Sequence, residues 1–206
     1  MSLATITTTL SSVRQKLSEC FSVDLVPTGY RPGVTLEHVR RNLGLARFAS
    51  TGPTSARASF GDADLQVEIV ERTESQLLMH LVMTEFSICT PALHQGSARF
   101  ELHHTGAVRR AGIHCRLRAG DAALKSAVQS GLTPGSDLYR AVMPLDFKRL
   151  RIDLRDGKWT VRLEHMGGTE VVSRMPAFRR YIALSHEQRE RLFDTLVGLQ
   201  RLLCGM

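Results

Sequence analysis

The sequence lacks the marks of several common classes of protein. Its four cysteines, Cys20, Cys89, Cys115 and Cys204, form no CxxC pair and no metal-knuckle spacing, so we expect free thiols in a reducing compartment. No apolar run approaches the ~20 residues that a membrane-spanning helix needs. The N-terminus has no basic start followed by an apolar block, which is the pattern of a secretory signal. We therefore expect a cytoplasmic protein without a membrane partner.

Motifs for catalysis and for cofactor binding are absent as well. The sequence contains no GxSxG, HExxH or GxxxxGK motif, and no GxGxxG between a strand and a helix. These absences remove the support for a serine hydrolase, a zinc protease or a nucleotide-binding fold. Cys115 has cationic neighbours that can lower a thiol pKa, but its predicted inward direction favours a buried structural cysteine. We assign no catalytic residue and no cofactor, and the balance favours a protein that is not an enzyme.

Three histidines lie in one predicted hairpin. Because side chains alternate between the two faces of a strand, His103 shares a face with His114, whereas His104 shares the other face with Cys115. A metal at His103 and His114 would need outside carboxylates, of which Glu101 is the nearest. Histidines that face solvent or have hydrogen-bond partners explain the cluster without a metal, so we assign no metal site.

Aromatic residues make up only 6% of the chain, whereas basic residues are in excess and give a net charge of +7. Residues 97–182 contain 16 basic and 8 acidic side chains, against 8 and 9 in residues 1–96 and 3 and 3 in residues 183–206. The excess therefore lies in the middle of the chain. Nearly all of it is arginine, which makes planar, bidentate contacts with phosphate or carboxylate. A merely solvated face is the alternative explanation.

Apolar residues at helical spacing predict five helices. The second follows Thr35, the expected cap, and is separated from the strands by a linker or surface loop at 49–59. The third and fourth cover 121–132 and 136–145, and the last begins at Ser185, which forms a capping box with Gln188. The first lies at the N-terminus, where its apolar stripe consists of Leu3, Ile6, Leu10, Val13 and Leu17.

From residue 64 the apolar period changes to two, which is typical of strands. Runs at 64–72 and 77–88 predict a hairpin, although periodicity alone leaves a helix open for the second run. Another hairpin is predicted at 98–104 and 112–118. After an expected turn at Gly167-Gly168, TEVVSRM predicts a further strand, and FRRYIAL continues the sheet.

The segment from Arg149 to His165 carries the strongest local signal. Asp156-Gly157 indicates a two-residue type I′ turn, which places Leu154 opposite Trp159 on an apolar face. Arg151 then opposes Arg162 directly, at a cost of roughly a few tenths of a kcal/mol unless an anion lies between them. The complete second face sets Arg149, Arg151, Asp153 and Arg155 against Glu164, Arg162, Thr160 and Lys158.

Runs of strands with segregated helices indicate an α+β fold. We expect an antiparallel β-sheet built from hairpins and covered by N-terminal, middle and C-terminal helices. The chain is interpreted as a single domain over residues 1–206, with a helical N-terminal segment at 1–60 and a sheet-containing core at 61–206.

The arginine-rich sheet face is the main functional candidate. If the hairpins share one sheet, their cations form a surface for nucleic-acid backbone or for an acidic protein. Stacking of bases has little support, because Trp159 and Phe100 face the predicted core and only Tyr181 and Phe178 remain near arginine. The alternatives are a pocket protein or enzyme for a small anionic ligand near Gly167-Gly168, and a homo-oligomeric assembly module such as a homodimer. The predicted binding residues are Arg149, Arg151, Arg155, Lys158, Arg162, Arg116, Arg118, Arg179 and Arg180.

Four stretches of the chain carry a resemblance: LDFKRL, MGGTEVV, MPAFRRYI and the earlier LLMHLVMTEF. They resemble a small family of uncharacterised proteobacterial proteins of about this length, and the resemblance covers the chain from about residue 64 onward. It implies a bacterial, cytoplasmic origin. It carries no activity, cofactor or catalytic residue over to this chain.

Overall fold

A computed structural model describes residues 29–45, 47–60, 65–106 and 109–206. These residues form an α+β fold of four helices and nine strands, and the helix predicted at the N-terminus lies outside them. The helices are α1 (Val34–Leu43), α2 (Ala122–Gly131), α3 (Asp137–Val142) and α4 (His186–Cys204). The strands are β1 (Phe48–Gly52), β2 (Ser55–Phe60), β3 (Leu65–Ser75), β4 (Met79–Pro91), β5 (Ala98–Thr105), β6 (Gly112–Ala119), β7 (Phe147–Arg155), β8 (Lys158–Arg174) and β9 (Ala177–Ile182).

All nine strands belong to one antiparallel sheet. Hydrogen-bonded neighbours follow the order β1-β2-β3-β4-β8-β7-β5-β6. Strand β4 pairs with β8 over most of its length, whereas β7 pairs with the first half of β8 and β9 with the second half. The long strand β8 is therefore the centre of the sheet and has three partners.

The sheet has one face covered by helices and one open face. Side chains of a strand alternate between the two faces, and those of the covered face form a single core cluster with residues from all four helices. Trp159 on β8, Ile152 on β7 and Phe100 on β5 are fully buried in this core. The alternate residues of the same strands point away from the helices, and we call that side the open face.

The register predicted around Asp156-Gly157 is confirmed. Leu154 lies opposite Trp159, and Arg151 lies opposite Arg162. Asp156 and Gly157 both have positive φ, 52° and 66°, as a type I′ turn requires. The turn thus places the arginines of β7 and β8 together on the open face.

The loop expected at residues 49–59 is wrong, because these residues form the hairpin β1–β2. The sheet therefore includes strands within the segment that the sequence assigned to helices. Ala56 and Ala58 are buried on the covered face, where Ala58 lies opposite Val67 of β3. Alanine is small and has a low strand propensity, so the alternation of buried and exposed residues in SARASF gives little signal for a strand in the sequence.

The expected turn at Gly167-Gly168 is also wrong. Strand β8 runs through both glycines, and its register against β4 shifts between Val82 and Thr84. Gly168 has a φ of 78°, and the Thr84 hydroxyl donates to the Gly168 carbonyl at 2.6 Å. The glycines therefore make a bulge inside one strand, because the residues before and after them pair with the same neighbour.

The predicted caps are confirmed for two helices and wrong for a third. The hydroxyls of Ser136 and Ser185 accept hydrogen bonds from the backbone at the starts of α3 and α4. Thr35 instead lies within α1, where its hydroxyl donates to the buried Glu170 carboxylate at 3.4 Å. Gly33 occupies the cap position of α1 and provides no side-chain acceptor.

Candidate anion-binding face

Eight cations lie together on the open face of strands β5 to β8, and a further cation of β7, Lys148, binds Glu74 of β3 beside them. They come from the hairpins β5–β6 and β7–β8, which the pairing of β5 with β7 joins into one surface. We call this set the cationic cluster. Its members are Arg99, Arg116, Arg118, Arg149, Arg151, Arg155, Lys158 and Arg162.

The structure brings together seven of the nine residues that the sequence predicted for anion binding. The other two lie elsewhere, because β9 pairs with the second half of β8 and the cluster lies along the first half. Arg179 is on the covered face and donates to the Glu170 carboxylate at 3.2 Å. Arg180 lies on the open face opposite Val171, at the far end of the sheet.

Carboxylates inside the cluster hold several of its guanidinium groups. Asp153 accepts hydrogen bonds from Arg99 at 2.7 Å and from Arg162 at 2.8 Å, one on each oxygen. Glu164 accepts from Arg149 at 3.0 Å through Oε1. These contacts fix the positions of the guanidinium groups and offset part of their charge.

Glu101 is the third carboxylate of the cluster. Arg118 donates to it at 2.7 Å, and the Arg151 Nε lies 3.5 Å from its second oxygen. The hydrogen bond from Arg118 is the main cause that lowers the pKa of Glu101 below its ordinary value, with smaller contributions from Arg151 and His103. Glu101 is thus ionised at neutral pH and serves two cations at once.

Cations outnumber carboxylates in the cluster by eight to three, which leaves a surplus of five positive charges on this part of the open face. Within the described part of the chain, Arg116, Arg155 and Lys158 form no ion pair. Arg155 and Lys158 flank the β7–β8 turn, and Arg116 lies on the outer strand β6. The cations without an ion pair therefore lie at two borders of the cluster, and the cations between them are ion-paired.

The open face also forms a groove between β3 and β7, with a volume of about 450 Å³. We call it the central groove. A second groove of about 330 Å³ lies beside Arg99 and Arg155 and shares Arg162 with the first. The central groove is lined by Arg72, Thr73, Glu74, Met83, Glu85, Arg149, Arg151, Arg162 and Glu164.

The sequence alone did not indicate the residues that β3 and β4 contribute to the central groove. Arg72 binds Glu85 at 3.0 Å, and Glu85 lies directly opposite Glu164 of β8. Nearly eighty residues separate the last two positions in the chain, so no local pattern links them. Only the pairing of β4 with β8 brings these groups beside the predicted arginines.

Two other clefts lie beside the helices. One, of about 480 Å³, is lined by residues of β6, α2 and the following loop, with Lys125 as its charged side chain. The other, of about 540 Å³, has Asp121 and His94 among mostly apolar or small neighbours. Neither gathers as many charged side chains as the central groove does.

Aromatic side chains are absent from the cationic cluster within the residues that the structure describes. Trp159 and Phe100 are fully buried, as predicted. Phe178 is 46% exposed, and Tyr181 stacks on His38 at 4.8 Å between ring centroids. Both lie on β9, away from the cluster, so the cluster has no ring on which a base can stack.

The remaining sequence candidates have structural explanations. Cys115 is fully buried, and this burial raises the pKa of its thiol to about 11. His103 and His114 lie opposite each other on the open face and are exposed. No group of three or more His, Cys, Asp or Glu among the described residues is placed to hold a metal ion.

The structure defines an α+β protein with a nine-stranded antiparallel sheet, helices on one face and a charged open face. None of its described helices is long and apolar enough to cross a membrane. The chain belongs to the family described as "Protein of unknown function (DUF3156)", whose model matches residues 41–203. The resemblance to an uncharacterised family is thereby confirmed. No curated protein and no solved structure matches the chain.

Proposed function

We propose that this protein is a non-enzymatic binding protein whose cationic cluster contacts an anionic partner, the phosphodiester backbone of nucleic acid. The observation that carries the proposal is that eight cations lie with only three carboxylates on strands β5 to β8 of the open face. Seven of the eight are arginines, which match phosphate oxygens with two parallel donors. A polyanion that covers the face relieves the repulsion between them.

The distribution of free charge supports contact at the β7–β8 turn and along the outer strand β6. Arg155, Lys158 and Arg116 form no ion pair within the described residues, so a phosphate does not have to displace a protein carboxylate to reach them. The absence of exposed rings in the cluster argues against stacking on single-stranded bases. Binding therefore depends on charge and not on base sequence, and duplex DNA is a suitable partner.

Charge reversal of the free cations tests this proposal. We expect the full chain to bind two mixed-sequence DNA duplexes equally, with an affinity that falls steeply as salt rises. The double variant Arg155→Glu with Lys158→Glu should weaken binding at least about tenfold and reduce the slope of log affinity against log salt by roughly two. Fluorescence anisotropy of labelled duplexes at several salt concentrations measures both quantities.

The matched control reverses two cations on helices of the covered face, Lys125→Glu with Arg201→Glu. It changes the net charge by the same amount and should retain most of the affinity. An equal loss in both double variants would assign binding to net charge alone. No binding of either duplex at low salt would overturn the nucleic-acid proposal.

A further inference from the structure

We infer that the central groove is a binding site for a small zwitterion of the α-amino acid class, which carries an ammonium group and a carboxylate. This site goes beyond the proposed function, because it depends on paired residues of the groove and not on the free cations of the β7–β8 turn and of β6. The inference rests on two like-charge pairs that lie side by side in the groove. It also rests on two buried polar atoms, Glu164 Oε2 and Arg151 Nε, that have no hydrogen-bond partner among the described residues.

The two pairs follow directly from the strand register. Glu85 of β4 lies opposite Glu164 of β8, and Arg162 of β8 lies opposite Arg151 of β7. Glu164 and Arg162 are two residues apart on β8, so the carboxylate pair and the guanidinium pair are adjacent on the open face, roughly 7 Å apart along the strand. Like charges that face each other across strands are destabilising unless a counter-charge lies between them.

Each of these four residues has one ion-pair partner: Arg72 for Glu85, Arg149 for Glu164, Asp153 for Arg162 and Glu101 for Arg151. These partners leave two polar atoms without a hydrogen bond. The Glu164 side chain is 7% exposed, and its Oε1 accepts from Arg149 while its Oε2 accepts no hydrogen bond from the described residues. The Arg151 Nε is also buried and donates no hydrogen bond, although it lies 3.5 Å from a Glu101 oxygen. The groove is therefore lined by one carboxylate with an unused acceptor and one guanidinium with an unused donor, and both atoms lie buried just beneath its surface.

The chemistry of the ligand follows from these two groups. A ligand ammonium meets the facing carboxylates of Glu85 and Glu164, and a ligand carboxylate meets the facing guanidinium groups of Arg151 and Arg162. A simple dianion is less suitable, because it would lie next to two buried carboxylates. Glu164 and Arg151 line the same space of about 450 Å³, so one small molecule spans both ends.

The test uses the twenty standard L-amino acids as probes, each at millimolar concentration, with the full chain. At least one should raise the thermal unfolding midpoint and show saturable binding by isothermal titration calorimetry. The N-acetyl derivative of that amino acid lacks the ammonium and its amide lacks the carboxylate, so each should bind at least tenfold more weakly. If none of the twenty binds, or if the N-acetyl derivative binds as tightly as the parent, the inference is wrong.

Variants of the groove provide the second arm. Glu164→Gln keeps the shape and removes the charge, and should weaken binding of the amino acid at least tenfold. Glu68→Gln is the matched control, because Glu68 is an exposed carboxylate of β3 outside the groove and should leave binding unchanged. Glu85→Gln should reproduce the loss if Glu164→Gln does not fold, and full affinity in a folded Glu164→Gln or Glu85→Gln protein overturns the assignment.

The two proposals fail separately. Glu164→Gln should lose the amino acid and keep duplex DNA, whereas Arg155→Glu with Lys158→Glu should lose duplex DNA and keep the amino acid. A protein that binds an amino acid but no DNA disproves only the proposed function. A protein that binds DNA but none of the twenty amino acids disproves only the site in the groove.

Discussion

The charged side chains of the open face differ widely in their exposure to solvent. The Glu164 side chain is 7% exposed, whereas its partner Arg149 is 45% exposed. A long arginine stem lets the guanidinium lie near solvent while a short, buried carboxylate anchors it. Removing only the Glu164 charge would leave Arg149 without its partner, so the pair depends on both side chains.

His165 shows the opposite situation, a titratable residue enclosed by the fold. It is 1% exposed, and its Nδ1 accepts the Gly167 N–H at 2.8 Å while its Nε2 donates to the Gln188 Oε1 at 2.9 Å. Burial lowers the pKa of His165 below its ordinary value of 6.5, against a raising effect of Gln188 and Gly167. The folded protein therefore keeps this imidazole neutral.

We expect the free energy of unfolding to fall as the pH drops below about 6.5. Above that pH, His165 should make no pH-dependent contribution to it. The unfolded chain binds the proton at its ordinary pKa of 6.5, whereas the folded chain binds it only at lower pH, so acid favours unfolding. Urea unfolding at pH 8 to 5 measures the slope. His104, whose pKa is also lowered by burial, adds to it.

His165→Gln should reduce this pH dependence, and His114→Gln should retain it because His114 is exposed. The comparison concerns the slope with pH and not the absolute stability of either variant. An unchanged slope in the His165→Gln protein would show that His165 does not contribute to acid sensitivity.

At the scale of elements, helix α1 depends on a residue from a distant strand. The carboxylate of Glu71 on β3 accepts the N–H groups of Gly33 at 3.0 Å and Leu36 at 2.9 Å, and the Tyr30 hydroxyl at 2.5 Å. Burial, together with Glu71, raises the pKa of Tyr30. Glu71 thus performs the capping role that the sequence assigned to Thr35, and its negative charge also suits the helix N-terminus.

Glu71→Ala should lower the free energy of unfolding by about 2 kcal/mol, because it removes a cap and leaves two backbone N–H groups near the core without an acceptor. Urea unfolding at neutral pH measures the loss. Glu37→Ala on the same helix is the control: it removes exposed ion pairs with Arg40 and Arg41 and should have a much smaller effect. Equal losses would mean that Glu71 does not act as a cap.

Elements with strong local signals were predictable from the sequence. Asp156-Gly157 specifies a turn type, and a two-residue turn of this type sets the register of β7 against β8. Ser136 and Ser185 are helix caps for an equally local reason. The hairpin β1–β2 was not predictable, because alanine gives only a weak strand signal. The bulge at Gly167-Gly168 was not predictable either, because a glycine pair suits both a turn and a bulge, and the pairing with the neighbouring strand determines which one forms.

At the scale of the whole molecule, strand β8 connects the parts of the sheet. It pairs with β4, β7 and β9, and its residue Trp159 is fully buried near Phe100 of β5, with 6.3 Å between ring centroids. Trp159 is the one tryptophan of the sequence. Its fluorescence therefore reports on the centre of the sheet.

We expect unfolding curves from Trp159 fluorescence and from far-ultraviolet circular dichroism to coincide. Loss of β8 removes the partner of three strands, so the sheet cannot separate into independently stable halves around it, and unfolding is cooperative. Urea titrations followed by both signals test this expectation. A tryptophan transition that precedes the loss of secondary structure by a clear margin would show that the two sides of the sheet unfold independently.

The amino-acid pattern is enough to decide which residues of each hairpin share a face, because side chains alternate along a strand and the turn sets the register. It thereby places Arg151 opposite Arg162 and the predicted cations of each hairpin on one face, whereas the pairing of β5 with β7 joins the two hairpins into one surface. The pairing of β4 with β8, the position of Glu85 opposite Glu164 and the position of Arg179 on the covered face follow from the folded sheet. Pairings between distant strands depend on the packing of the whole sheet, and no short stretch of sequence contains that information.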